Sequence, residues 1–182
     1  MVARMIGVAA AVGVAAVCHA DLQQFTFTYQ DAAVQGSGWL SAIDVGNGVS
    51  TATQGQFSIS SGALAGLYDL VTNPGGTTYS TSAAGAFWYD DVVYPGAPTF
   101  MNIYGLLFSD GTREINIWGN GDGQPYSLWS WSGGHYDYSS NQGGYAMAPG
   151  GGPAAPSPSA SACLVIVGAA VGSRRTRRPS RR

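Results

Sequence analysis

The chain has 182 residues and no lysine, and its eight basic residues are all arginines. All ten acidic residues lie between Asp21 and Asp137, where Arg113 is the only base, so this region carries a net charge of −9. Affinity for nucleic acid rests on basic residues that neutralise phosphates, so the charge excludes a nucleic-acid-binding protein. The two cysteines, Cys18 and Cys163, lie near the ends, which excludes a disulfide or a thiolate site in the region between them.

The first 20 residues have the features of a secretory signal peptide. Arg4 supplies a positive charge ahead of an apolar stretch over residues 5–18, and Ala20 places a small residue before Asp21. We therefore expect residues 1–20 to form a helical signal peptide that is cleaved between Ala20 and Asp21. A buried first helix is the alternative interpretation of the apolar stretch.

Residues 21–148 show the pattern of one extracellular all-β domain. In residues 22–30, aromatic side chains alternate with threonine and glutamine, which is typical of a half-buried strand. Glycine-rich turns then separate short strand-like runs, at residues 46–48, 73–75 and 110–111. The pattern predicts an antiparallel β-sandwich or a flattened barrel.

A loop with the sequence WGNGDGQP, residues 118–125, suggests a calcium site. Asn120 and Asp122 alternate there, but a calcium loop also needs further oxygen ligands and a closing glutamate. A long hairpin turn is therefore the preferred interpretation, and weak calcium binding stays open if backbone carbonyls complete the shell. We expect no metal site and no cofactor.

The last predicted hairpin, YSLWSWSGGHYDYSS at residues 126–140, turns at a Gly-Gly pair. Two-residue turns favour glycine because they need positive φ. This turn pairs Trp131 with Tyr136 and Trp129 with Tyr138, so all four rings share one face. The opposite face then carries four polar side chains, those of Ser130, Ser132, His135 and Asp137.

Two interpretations of the four rings are open. Stacked rings on a strand face can hold a sugar, whose apolar face packs on indole, so Trp129, Trp131, Tyr136 and Tyr138 are candidate glycan contacts. Antiparallel sheets also bury one side with cross-strand aromatic pairs, each contributing about 0.2–1 kcal/mol. Because burial of the rings explains both the aromatic and the polar face, we expect the rings to lie in the hydrophobic core.

The sequence offers little for catalysis. His135 is the only histidine after the signal peptide, and no serine stands on a nucleophile elbow. Asp90 and Asp91 with Glu114 could supply carboxylates for glycoside hydrolysis, but adjacent strand residues point to opposite faces. No nucleophile, base and orienting group can be named together, so we expect no catalytic residues and a protein that is not an enzyme.

The C-terminal end has three parts in order. A Pro/Gly/Ser-rich linker covers residues 149–161, and residues 162–182 hold a short apolar helix followed by arginines. Arginines beside an apolar helix stay on the cytoplasmic side of a membrane. Residues 160–172, thirteen in number, rise about 20 Å as a helix against about 30 Å of hydrocarbon, which favours a transient anchor. Six of the eight basic residues lie in the last nine positions: Arg174, Arg175, Arg177, Arg178, Arg181 and Arg182.

This tail resembles the PEP-CTERM sorting signals of Gram-negative bacteria, in which a proline motif precedes the apolar helix and the arginines. Pro156, Ser157 and Pro158 stand at the motif, with serine where glutamate is usual, so a rhombosortase-type or other signal is the alternative. The resemblance implies that an exosortase-like membrane enzyme recognises and removes the tail. Three stretches of the body are also similar to Gly/Ser/Thr-rich exported β proteins with such tails: residues 85–96, 105–108 and 114–121.

These features together predict an exported protein of the cell surface or extracellular matrix, held transiently in the inner membrane by its tail. The expected function is structural or adhesive. The alternative is a glycan-binding module that uses surface aromatic side chains, and a secreted hydrolase is less favoured. Besides the processing enzyme, extracellular polysaccharide is the candidate partner.

Overall fold

The computed structural model describes residues 21–75 and 78–150. The predicted signal peptide, the sorting motif at residues 156–158 and the apolar helix with its arginines lie outside these residues. Within them, no helix has the length and apolar character needed to cross a membrane. The strands of the described residues are β1 (Leu22–Gln30), β2 (Gln35–Gly46), β3 (Val49–Ile59), β4 (Gly66–Leu70), β5 (Ser80–Thr81), β6 (Trp88–Tyr89), β7 (Val92–Val93), β8 (Leu106–Ser109), β9 (Arg113–Gly119), β10 (Tyr126–Ser132) and β11 (His135–Pro149).

Eight of these strands close into an antiparallel barrel. Their order is β2-β1-β11-β10-β9-β8-β4-β3, and pairing of β2 with β3 closes the ring. The short β7 pairs with the first half of β3, while β5 and β6 form a separate two-stranded sheet. The predicted all-β fold is confirmed, and of the two predicted architectures the chain adopts the barrel.

The first strand shows why this sequence forms a closed sheet. β1 spans the predicted residues, with Phe25, Phe27 and Tyr29 buried and the intervening threonines exposed. Successive strand residues point to opposite faces, so this alternation puts one face inside the barrel and the other in solvent. The predicted turns at residues 46–48 and 110–111 are also confirmed, because they join β2 to β3 and β8 to β9.

Aromatic rings fill the centre of the barrel. Phe27, Phe57 and Phe108 come from three different strands, and their ring centroids lie 5.5–5.8 Å apart in tilted arrangements. Tilted pairs at this separation are favourable for aromatic rings, and each ring removes a large apolar area from water. The interior therefore needs no disulfide to hold it together.

Between β4 and β8 only the short β7 stays paired with the barrel sheet, and the stretch around β5 and β6 crosses the outer surface of the barrel. We call residues 78–105 the covering segment. Its Phe87 and Tyr89 are buried with Leu107 of β8 in a second apolar cluster, against which Trp129 and Trp131 of β10 pack. The barrel is thus covered on the outer face of β8, β9 and β10, and the edge of this cover forms the site described next.

The covering segment ends at Gly105, a position that accepts only glycine. Its φ is +65°, and a Cβ there would lie 1.9 Å from the carbonyl oxygen of Ile117. The Gly105 carbonyl also accepts hydrogen bonds from the backbone N–H groups of Asp90 and Asp91. Close contact with β9 at this point holds the covering segment against the barrel.

Candidate functional site

The pairing of β10 with β11 departs from the predicted register, because β11 has one residue without a partner opposite it. Trp131 pairs with Tyr136, as expected, but Ser130 then lies opposite Tyr138. Asp137 is therefore an extra residue in β11, a β-bulge. A shift of one residue in the register turns a side chain to the opposite face of the sheet. The bulge therefore changes the face on which Tyr138 lies.

The four rings do not share one face. Tyr138 turns into the barrel, packs against its core and donates a hydrogen bond of 2.9 Å to Oδ2 of Asp31. Trp129, Trp131 and Tyr136 turn outward, and Tyr136 is 46% exposed. The predicted pairing of Trp129 with Tyr138, the common face and the burial of all four rings in the core are therefore wrong.

The predicted solvated face is wrong for the same reason. Ser130 has no exposed surface, and the hydroxyls of Ser130 and Ser132 donate to the Asp137 carboxylate, which also forms an ion pair of 2.9 Å with Arg113. Although burial acts to raise it, these two hydroxyls and the arginine hold the pKa of Asp137 below its ordinary value. Of the four predicted polar residues, only His135 is exposed.

The outward rings and the covering segment form a groove of about 390 Å³. Trp129 is central to it, with its ring centroid 5.7 Å from that of Trp118 and 5.3 Å from that of Tyr136. The ring of Tyr136 stands nearly perpendicular to Trp129, at 82°, so the rings form walls and not one flat stack. We call this the aromatic groove, and its rings are those of Phe87, Trp88, Tyr104, Trp118, Trp129 and Tyr136.

Hydrogen bonds hold two of these rings in place. The Tyr136 hydroxyl donates to the carbonyl of Ala86 at 2.9 Å, which ties the barrel wall to the covering segment. The Trp129 indole N–H donates to Oδ1 of Asn141 at 3.0 Å. Trp88, by contrast, is 60% exposed at the rim. Its ring centroid lies 5.9 Å from that of Tyr79. The groove is therefore built in advance, and Trp88 presents an exposed ring at its rim.

Asn116 supplies a polar group at the base of the groove. It points outward from β9 opposite Trp129 and is only 3% exposed. Its Nδ2 donates to the carbonyl of Trp88 at 3.0 Å, but its Oδ1 has no hydrogen-bond partner within the described residues. A buried polar atom without a partner costs about 1–3 kcal/mol, so a ligand donor that reached this oxygen would recover that energy.

The carboxylates weighed for hydrolysis are not brought together in this groove. Asp90 and Asp91 are both buried, because Asp91 has a φ of +59° and the strand is irregular there. Neither lines the groove. The Asp90 carboxylate accepts from Asn102 within the covering segment, and the Asp91 carboxylate accepts from the backbone N–H of Asn73, in the link that follows β4. Glu114 lies on the outer face of β9, beyond Asn116.

The loop at residues 118–125 is a turn braced by side chains. Asn120 donates to the carbonyl of Pro125 at 2.6 Å, and Asp122 accepts from the hydroxyl of Thr99 at 2.8 Å. In the part of the chain that the structure describes, no three His, Cys, Asp or Glu side chains lie close enough to share a metal ion.

A larger depression of about 470 Å³ lies over β1, β2 and β11. Its lining holds two aromatic residues, Tyr29 and Tyr145, among small or amide side chains such as Thr28, Gln30 and Ser37. The aromatic groove is smaller but combines six aromatic residues, three of them tryptophans, with an unpaired amide oxygen. Chemistry and not size therefore marks the aromatic groove as the candidate site.

Compared with known proteins, the chain matches no protein-family model, no curated protein and no solved structure. The case for a site therefore rests on the geometry of the groove.

Several residues of the groove were missed in the sequence. In the stretch EINIWG, Glu114, Asn116 and Trp118 alternate with two isoleucines, so they share one face of β9. This alternation was a readable signal for an outer face that carries an amide and an indole. Nothing local indicated that Trp88 would join them, because its position depends on the path of the covering segment.

Asp91→Asn is expected to change how stability depends on pH. Burial, with neighbouring Asp90 adding to it, raises the pKa of Asp91 from 3.8 to about 7, so the folded state holds this proton more tightly than the unfolded chain. The resulting stability is complete below pH 3.8 and is lost as the pH rises through about 7. The uncharged amide should avoid this loss, worth up to about 4 kcal/mol.

Thermal melts at about pH 4 and about pH 8 check this expectation. The variant should melt higher than the wild type at the higher pH and close to it at the lower pH. Asp44→Asn is the matched control, since Asp44 is an exposed carboxylate in the β2–β3 hairpin that accepts from the Gly46 N–H. Equal pH dependence in the wild type and Asp91→Asn would contradict the prediction.

Proposed function

We propose that the barrel is the saccharide-binding module of an exported surface or matrix protein, and that the aromatic groove is its binding site. Adhesion to a glycan is then how the protein performs the adhesive role that its sequence suggests. The observation that carries the proposal is the aromatic groove itself, whose lining combines large rings with Asn116, a residue whose buried Oδ1 has no partner within the described residues.

A sugar ring is amphipathic, and the aromatic groove is amphipathic in the same way. The C–H groups on one face of a sugar are apolar and pack against indole or phenol rings, while its hydroxyls donate and accept hydrogen bonds. Trp88, Trp118 and Trp129 offer the apolar surfaces, and Asn116 offers an acceptor between them. Sites that combine apolar walls with a few placed polar groups are typical of small-ligand recognition.

The charge of the body narrows the ligand further. Residues 21–148 carry ten acidic side chains and one arginine. A surface of net charge −9 repels polyanions at long range. The proposed ligand is therefore a neutral or cationic saccharide and not a uronic-acid or sulfated one.

Binding without turnover fits the aromatic groove better than hydrolysis does. A glycosidase needs two carboxylates that flank the scissile bond. Asp90 and Asp91 are buried, and among the described residues no acidic side chain lines the groove. A secreted hydrolase therefore has no support from this site.

Export and sorting remain proposals that rest on the two ends of the chain. The signal peptide at residues 1–20 and the PEP-CTERM-like tail support passage to the cell surface, with removal of the tail by an exosortase-like enzyme. Mass spectrometry of the protein from its native envelope should find no peptide that contains Cys163 or later residues. Recovery of such peptides from most of the exported protein would contradict removal of the tail.

Trp88→Ala is expected to weaken saccharide binding with little effect on stability. Trp88 is 60% exposed at the rim of the aromatic groove, so its removal exposes little buried surface. An array of neutral, amino and acidic oligosaccharides identifies a binder, and titration of that binder should show a loss of tenfold or more, about 1.4 kcal/mol.

Trp39→Ala is the matched control for this experiment. Trp39 lies on β2, four strands from β9 around the ring, and is partly exposed. Its replacement should leave saccharide affinity unchanged. Absence of binding to any oligosaccharide, or equal losses in both variants, would contradict the proposed function.

A further inference from the structure

Beside the aromatic groove, and separate from the depression over β1, β2 and β11, lies a second depression of about 410 Å³. Trp131 of β10 forms one side, and Ala83 and Ala84 of the covering segment form another. Glu114 of β9 also lines the depression, directly across from Trp131 in the β9–β10 pairing. An indole and a carboxylate therefore lie together at a concave surface that no feature of the fold fills.

Glu114 is held by one oxygen and unpaired at the other. Its Oε1 accepts a hydrogen bond of 3.0 Å from the backbone N–H of Ala84, while its Oε2 has no hydrogen-bond partner within the described residues. The side chain is 9% exposed. A carboxylate that is nearly buried and only half satisfied is costly, and a cation or a strong donor would relieve that cost.

No positive charge of residues 21–148 is available to Glu114. Arg113 is the only basic residue in that range, and its guanidinium forms an ion pair with Asp137. Adjacent strand residues point to opposite faces, so Arg113 faces inward where Glu114 faces outward. The charge on Glu114 therefore has no counterion supplied by the barrel.

The two depressions are parts of one surface. Glu114 and Asn116 are two positions apart on the outer face of β9, a separation of roughly 7 Å. Tyr136 stands between the depressions, with its ring centroid 4.8 Å from that of Trp131 and 5.3 Å from that of Trp129. A ligand longer than one sugar unit could then occupy both.

We propose that this second depression is a subsite for a cationic sugar unit, whose ring packs on Trp131 and whose protonated amine pairs with Glu114. The inference rests on the proposed saccharide binding and adds its ligand class: a polysaccharide that carries unacetylated amino sugars. A hydroxyl could donate to Oε2 but would leave the carboxylate charge uncompensated. The net charge of −9 attracts a polycation toward the same surface.

Calorimetric titration of the protein produced from the complete chain tests the subsite. The probes are oligomers of glucosamine, N-acetylglucosamine and glucose of equal length, at about pH 6, where an amine is protonated. The glucosamine oligomer should bind at least tenfold more tightly than the other two, about 1.4 kcal/mol. Glu114→Gln should abolish that preference, so that the glucosamine oligomer binds the variant no more tightly than the neutral oligomers do.

Asp44→Asn controls for the loss of one negative charge, since Asp44 is exposed in the β2–β3 hairpin. It should keep the preference for glucosamine, and thermal melts should show that both variants are folded. Equal affinity of the wild type for charged and neutral oligomers, or a preference that survives Glu114→Gln, would overturn the subsite alone. Failure of all three oligomers, and of the wider array, would overturn the saccharide-binding proposal as well.

Discussion

The hydrogen bonds and the ion pair that hold Asp137 decide which aromatic side chains meet solvent. Asp137 is the extra residue of β11, and its carboxylate is fixed inside the barrel end by Ser130, Ser132 and Arg113. Residues two positions apart in a regular strand lie on the same face, but the bulge between Tyr136 and Tyr138 turns these two side chains to opposite faces of the sheet. Tyr136 therefore forms a wall of the aromatic groove, while the next tyrosine along the strand packs in the core. Without the extra residue, the hairpin would present a different set of rings.

The covering segment forms one wall of the aromatic groove, and it also buries two carboxylates, those of Asp90 and Asp91. Backbone hydrogen bonds fasten this segment to the barrel: the N–H of Ala52 in β3 donates to the Asp91 carbonyl, and that of Gly119 in β9 donates to the Asn102 carbonyl. Burial, with Asp91 and Glu114 close by, raises the pKa of Tyr89 in the same region. The segment that forms one wall of the groove thus holds three groups whose raised pKa values favour the neutral form: Tyr89, Asp90 and Asp91.

Local patterns in the sequence predicted much of the fold. The alternation in residues 22–30 located β1, and glycine-rich turns located the β2–β3 and β8–β9 hairpins. The bulge at Asp137 could not be predicted, because Arg113, which holds it, is distant in sequence and the Gly-Gly turn alone allowed a regular register. The site was half visible: rings were proposed as glycan contacts, but Asn116 joins them through the pairing of β9 with β10, and Trp88 joins them only through the path of the covering segment.

The proposed saccharide site consists of the rings of the aromatic groove on β9, β10 and the covering segment. The chain has five tryptophans, and their indole N–H signals in a nuclear magnetic resonance spectrum report separately on each one. On titration with the neutral oligosaccharide that binds most tightly, the signals of Trp88, Trp118 and Trp129 should shift together, and that of Trp39 on β2 should not. Saturable binding that leaves these three signals in place, or that shifts the Trp39 signal equally, would contradict saccharide binding in the aromatic groove.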